Sequence, residues 1–247
     1  MTLSWLFDPA HWSGVDGIPV RLLQHLRYTL VAALAATLVA VPLGLFVGHT
    51  GRGGLVVVGG SNAMRALPTL GLVTFLFLVL GSGEVSALVA LTVLAVPPVL
   101  AGTYAGIQDT DRGVVDAARG MGMTGWQRLW RVEVPNALPL LLGGVRNAVL
   151  QIVATTAVAA YVGLGGLGRF LLDGLRAFDY PKMVAGAVLV AALAMVLDLL
   201  LALLQRLVVP KGLRLAAGRR GRVPARAVER GGTDVAAAAA TREGTSG

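Results

Sequence analysis

The segment YVGLGGLGR, Tyr161 to Arg169, satisfies G-x-G-x-x-G through Gly163, Gly165 and Gly168, with Gly166 between them. That spacing lets a backbone approach a pyrophosphate, but only where the glycines join a strand to a helix. Here they follow an apolar stretch of membrane length, so the expected element is a flexible, tightly turning loop where a span leaves the bilayer. No G-x-x-x-x-G-K-[ST] occurs, so the chain cannot cradle ATP in the P-loop manner. Cysteine is absent and His11, His25 and His49 lack ligand spacing, which argues against a metal centre. The acidic residues of the apolar part are single, and no histidine neighbours a plausible nucleophile. Enzymatic chemistry has no constellation to work with.

Two charges sit where charge is costly. Asp198 lies within VLDLLLALLQRL and must face protein or water rather than lipid. Arg146 interrupts another apolar stretch, and counting rise per residue places both very roughly 10 to 15 Å from the same membrane boundary. Matching depth allows an Asp198–Arg146 ion pair, with Arg65 the other candidate partner. Such a pair serves either to register helices or as part of a moving gate.

The elements that must position these residues are membrane helices. The 247 residues are 55% hydrophobic and only 14% charged, too apolar for an ordinary soluble domain. Tyr28 to Gly48 carries no charge and is long enough to cross; before it, IPVRLLQHLR forms an amphipathic entry segment without a signal-peptide cleavage site. From Leu55 to Leu80 the apolar run is interrupted by Ser61, Asn62, Arg65 and Pro68. One crossing kinked at Pro68 is favoured over a short amphipathic piece followed by a short span. Val85 to about Ile107 makes a third span, where Pro97-Pro98 predicts a break in mid-membrane. Ala137 to about Val162 and Met183 to about Val209 complete five crossings, or at most six. Spans two and three, broken at proline, are expected to line a pathway.

The formal charge of +8 does not mark a nucleic-acid binder. From Lys211 onward there are eight basic and three acidic residues, so most of the excess belongs to the tail. With Arg112, Arg119, Arg128 and Arg131 in the central polar segment and no Lys or Arg between Gly81 and Glu84, the positive-inside rule puts that segment and the C-terminus in the cytoplasm. The N-terminus then lies outside; Arg169, Arg176 and Lys182 weaken the asymmetry without reversing it. Residues 1–21 are read as an outer or interfacial segment, 22–209 as the transmembrane domain and 210–247 as a basic, disordered cytoplasmic tail.

The central segment includes DAARGMGMTGWQRLWRVEVPNALP, Asp116 to Pro139. Asp111 is a fitting N-cap for a first short helix, and Gly120 and Gly122 stop it. Thr124-Gly-Trp-Gln127 fits a capping box for a second, whose Trp126, Leu129 and Trp130 share one face. Pro135 and Pro139 end this helix and start the next span. The pair makes either a knob for a groove on another protein or an interfacial hairpin on lipid headgroups.

Asp116-Ala117-Ala118, three residues, Gly122, nine residues, then Val132-Glu133-Val134-Pro135 resembles the EAA-x3-G-x9-I-x-L-P loop of binding-protein-dependent ABC importer permeases. RALPTLGL (Arg65 to Leu72), PPVLAGTYAGI (Pro97 to Ile107), the central segment itself and VGLGGLG are together similar to the osmoprotectant branch, which carries glycine betaine, choline and carnitine. The resemblance spans about Leu22 to Leu207. It implies the all-α fold of a type I ABC importer permease with a cytoplasmic coupling-helix loop. It also implies a second permease subunit, two ATP-binding subunits that use the ATP, and an external solute-binding protein. Asp116, Ala117, Ala118 and Gly122 would be the docking core, Arg119 would add a rim contact, and Trp126, Val132 and Pro135 belong to the same loop. With few membrane aromatics beyond Phe75, Phe77, Tyr104 and Tyr161, primary selectivity for a quaternary ammonium is expected to reside in the binding protein. The rivals are a permease of the same type for methionine or a sulfonate, and an ion-coupled carrier, which would require inverted repeats.

Overall fold

The computed structural model describes residues 2–209 and the side chains of these except Thr2, Leu3, Ser4 and Arg65. The expectations for the tail from 210 onward, and for Arg65 as an ion-pair partner, lie outside the described residues. The chain divides into a compact unit, Met1–Leu207, and a second, Val208–Gly247, of which Val208 and Val209 are described.

Helix α1 (Thr2–Phe7) and a 3-10 turn (Pro9–Trp12) precede α2 (Ile18–Thr50). At 33 residues, α2 is about 50 Å long. The amphipathic entry segment and the first span are therefore one helix, which starts at Ile18 because Pro19 is tolerated in a first turn. Ala32, Ala36 and Ala40 are fully buried at four-residue spacing, and the buried glycines Gly44 and Gly48 continue the line. This strip of small residues lets the backbone of α5 (Gly83–Gln108) approach closely, the basis of helix association where lipid removes the hydrophobic drive. Leu30, Leu34 and Leu38 point the other way and are exposed, as on a lipid-facing side.

Between them stand α3 (Gly54–Arg65) and α4 (Thr69–Leu80), bent by 90° at the break. The kinked crossing expected at Pro68 is thus a full interruption. A residue before proline is pushed away from the helical region, and Pro68 itself adopts an extended conformation capping α4. Among the described residues four helices are long and apolar enough to cross a membrane, and the α3–α4 pair makes five if it counts as one span.

The opposite correction applies to Pro97 and Pro98, which lie inside an unbroken α5 and are buried. The break in mid-membrane expected there is absent from α5. Pro98 has no N–H for the carbonyl of Leu94, and that oxygen is satisfied by Gln151 Nε2 from α8 (Val134–Ala159) at 3.1 Å. A neighbouring side chain replaces the missing backbone donor, so the helix continues. Pro139 likewise lies inside α8, and Pro135 sits in its first turn, so neither ends a helix.

Between α5 and α8 lie α6 (Arg112–Gly120) and α7 (Gly125–Arg128), which belong to the polar segment. After α8 comes a 3-10 turn (Ala160–Val162), then α9 (Gly168–Ala177) and α10 (Tyr180–Val208). Helices α2, α5 and α8 form the packed centre, with Tyr28, Leu91, Val99 and Ile152 among its buried residues. Helix α10 is the least buried long helix; Leu193 inserts beside Val153, Leu167 and Phe170, while Met195, Leu199, Leu203 and Leu207 stay exposed.

Candidate functional site

The polar segment that leaves the bundle begins with Asp111, whose carboxylate accepts from Gly113 N–H at 2.8 Å and caps α6. Gly120 is the last residue of α6, and Gly122 (φ +79°) closes it. There Gly122 N–H donates to Arg119 O at 2.9 Å and Met123 N–H to Ala118 O at 3.1 Å, the pair of bonds of a left-handed helix stop that glycine adopts without strain. Thr124 and Gln127 form the expected reciprocal capping box at the start of α7, with bonds of 3.3 and 3.0 Å. A π-turn, Leu129–Glu133, then carries the chain directly into α8.

Within this loop Asp116, Ala117, Arg119, Gly122 and Trp126 are exposed, and Asp116 pairs with Arg119 at 3.3 Å. Ala118 is buried, so it belongs to the inner packing of the loop and not to its free face. The aromatic face divides too. Trp126 and Trp130 stay exposed and meet edge to face at 5.4 Å, while Leu129 turns inward against Leu45, Ile107 and Ala137. Val132 and Pro135 are half-buried at the base.

Sequence reasoning missed what holds that base. Glu133 is only 5% exposed; its Oε1 accepts from Arg128 Nε at 2.8 Å and its Oε2 contacts His49 Nδ1 at 2.6 Å. Arg128 NH2 reaches His49 Nε2 at 3.4 Å, closing a ring of three side chains. Had Leu129–Glu133 been α-helical, Arg128 and Glu133 would stand about 140° apart around the axis. The i→i+5 bond from Val134 N–H to Leu129 O brings positions five apart into line, and no simple spacing rule anticipates it.

Inside the bundle, Arg146 and Asp198 meet as a two-pronged pair, Nε to Oδ1 and NH2 to Oδ2 both at 2.6 Å. Each side chain retains about one third of its exposure, at 32% and 37%. Gln205 Nε2 donates to Pro139 O at 2.9 Å on the same helix pair, α8 and α10.

The glycine segment turns tightly, with Gly163 at φ +92° and Gly166 at φ +88°. It is pinned rather than flexible: Gly166 N–H donates to Gln24 Oε1 at 3.0 Å and Leu167 N–H to His25 Nδ1 at 3.3 Å. His25, fully buried, uses its other nitrogen to bond Val153 O at 3.1 Å, tying α2, α8 and the turn together. Gly165 and Gly168 lie against Gln24 and the Ala157 backbone, where a side chain would not fit. With a helix before this turn and no strand among the described residues, it is no dinucleotide cradle.

At the end of α2 away from the polar loop, a cavity of about 390 Å³ is lined by residues including Trp5, Arg21, Arg169 and Lys182. Asp16 pairs with Arg21 at 2.5 Å and Asp173 with Arg169 at 3.0 Å.

Residues 40–211 match the family described as binding-protein-dependent transport system inner membrane component. The chain is 36% identical over 191 residues to the glycine betaine/carnitine/choline transport system permease protein OpuCB of Bacillus subtilis, covering 77% of this chain and 88% of that one. It is 37% identical over 196 residues to the osmoprotectant import permease protein OsmW of Salmonella typhimurium, covering 77% and 91%. Among solved structures, a chain of the inward-facing MetNI methionine ABC transporter superposes with a TM-score of 0.71 at 24% identity, over 82% of this chain and 99% of that one. That likeness is one of fold, the type I ABC importer permease fold. With an all-helical bundle among the described residues and a family match over most of its length, this multi-pass membrane protein belongs to the binding-protein-dependent transport system inner membrane components.

Proposed function

We propose that the chain is a permease subunit of an ATP-driven importer and forms part of the pathway for a quaternary-ammonium osmoprotectant such as glycine betaine, choline or carnitine. The observation that carries the importer reading is the exposed, polar α6–α7 pair projecting from an apolar bundle with its motif residues in register. The relatives named for these solutes support the substrate class. The complex would comprise a second permease subunit, the same or homologous, two ATP-binding subunits that use the ATP, and an external solute-binding protein. This chain would supply no ATPase site of its own. The loop would lie in the cytoplasm with the C-terminus, and the N-terminus outside.

In this reading Asp116, Ala117, Arg119, Gly122 and Trp126 meet the ATP-binding subunit, while Ala118, Val132 and Pro135 shape the loop from within. Closure of the ATP-binding pair would push on the loop and turn the permease outward. Labelled glycine betaine and choline are expected to accumulate in liposomes holding the complete complex, and labelled methionine is not. Uptake of methionine alone would overturn the substrate class.

Gly122 offers a sharper test of the loop. A Cβ there meets nothing within 4 Å, so space is not the obstacle, but the φ of +79° is. A non-glycine residue in the left-handed region costs about 1–2 kcal/mol, equivalent to a factor of about 5–30 in the population of the correctly shaped loop. Gly122→Leu should therefore lower uptake several-fold while the ATP-binding subunits continue to hydrolyse ATP. Normal uptake per ATP in this variant would sink the docking assignment.

A further inference from the structure

The ring of Arg128, Glu133 and His49 joins three elements: the end of α7, the last residue of the π-turn and the last turn of α2. Side-chain exposures are 13%, 6% and 18%, so the ring is enclosed by protein at the foot of an apolar span. Burying a carboxylate there is costly and adds little net stability even when paired. Its attested use is to fix one geometry among several.

The surroundings support that use. Leu129 packs against Leu45 of α2, Ile107 of α5 and Ala137 of α8. Gln108 Nε2, at the end of α5, donates to Gly48 O at 3.0 Å beside His49. Gly125 lies so near the His49 ring that an added Cβ would come within 3.3 Å of Nε2, so α7 sits directly on the foot of α2. Helix α6, by contrast, packs on α7 and the π-turn. Besides the short link from the end of α5 at Gln108 to the start of α6 at Arg112, a displacement of α6 therefore has a packed route to the bundle through the root of α7. Among the described contacts at that root, the ring is the polar, directional one, and the Leu129 cluster allows sliding that charge-assisted bonds resist.

We propose that Arg128, Glu133 and His49 form a clasp that makes the polar loop and the foot of α2 one mechanical piece, with Glu133 the positioning residue that passes loop displacement to α2. The proposal rests on the reading of the loop as the docking site for the ATP-binding subunits. The ring closes with Nδ1–H of His49 donating to Glu133 and Nε2 accepting from Arg128, so each side chain uses both of its facing atoms. Removing Glu133 cuts the two short bonds and leaves only the 3.4 Å contact between Arg128 and His49, whereas removing His49 leaves the Arg128–Glu133 pair in place.

The test uses the complete complex in liposomes, with labelled glycine betaine as the probe, and reads uptake per ATP hydrolysed. In Glu133→Ala this ratio should fall by about tenfold, the scale of a cut charge-assisted network, while the ATP-binding subunits still copurify and hydrolyse ATP. Glu133→Gln keeps one acceptor oxygen, enough for Arg128 or for His49, while its amide NH2 faces the other's donor, and should recover part of the ratio. His49→Ala, which leaves the Arg128–Glu133 pair intact, should lower the ratio less than Glu133→Ala, and it serves where Glu133→Ala does not assemble. A wild-type ratio in Glu133→Ala or His49→Ala overturns the clasp, as does equal loss in Glu133→Gln and Glu133→Ala. If Gly122→Leu uncouples while these variants do not, the clasp alone fails; if Gly122→Leu is also fully coupled, the loop reading fails with it.

Discussion

Gly144→Leu is expected to leave no folded permease in the membrane, whereas Gly143→Ala, one residue earlier, should be tolerated. The difference lies in what a side chain would meet. A Cβ on Gly144 would lie 2.6 Å from the carbonyl oxygen of Pro98 and 3.1 Å from Gly102 Cα, both backbone atoms that cannot swing away. A Cβ on Gly102 would in turn lie 2.8 Å from Gly144 Cα, so α5 and α8 touch backbone to backbone. Overpacking a well-filled interior costs about 1–3 kcal/mol and occasionally more. Prying these two helices apart also separates Gln151 from Leu94 O, the bond that lets α5 pass its prolines unbroken. At Gly143 nothing lies within 4 Å, and alanine in a helix is favoured over glycine by about 0.5–1 kcal/mol. Size-exclusion profiles and thermal melts of detergent extracts measure both variants. A monodisperse Gly144→Leu protein with an unchanged Tm would show that α5 and α8 do not pack this closely.

This contact was not legible in the sequence, although its residues were in view. Gly102 and Gly106, four apart on α5, and Gly44 and Gly48, four apart on α2, are the small-residue pattern of close helix approach. The pattern names a face but not its partner. What sequence reads well is local chemistry. The stop at Gly122, the capping box at Thr124 and the cap at Asp111 each depend on a few neighbouring residues, and each appears where spacing placed it. Proline is read poorly because its effect depends on distant atoms. Pro98 is absorbed by Gln151, more than fifty residues away, while Pro68 stands at a full break between α3 and α4. The clasp fails to show for a further reason: a π-turn realigns Arg128 with Glu133, and its third member, His49, is a distant residue without ligand spacing.

The matched depth of Arg146 and Asp198 was legible, because rise per residue along two helices is nearly constant. Their role is not fixed by meeting, and the partial exposure of both side chains leaves the pair open on one side. Asp198→Ala should deplete assembled permease several-fold, since it strands a guanidinium in a segment otherwise built for lipid. Arg146→Ala strands the carboxylate and should do the same. The informative variant is the double one. If the pair only registers α8 against α10, the Arg146→Leu/Asp198→Leu protein regains both abundance and uptake, because two apolar groups replace two mutually satisfied ions. If the pair is part of a gate, abundance returns and uptake does not, because an apolar contact lacks the alternative of opening into solvated ions. The exchange Arg146→Asp/Asp198→Arg separates the cases further: it keeps the attraction while reversing its direction, which a register contact tolerates better than a gate tuned to one field. Strictly additive losses, with the double variant as poor as the two singles combined, would mean that Arg146 and Asp198 act independently despite their 2.6 Å contacts.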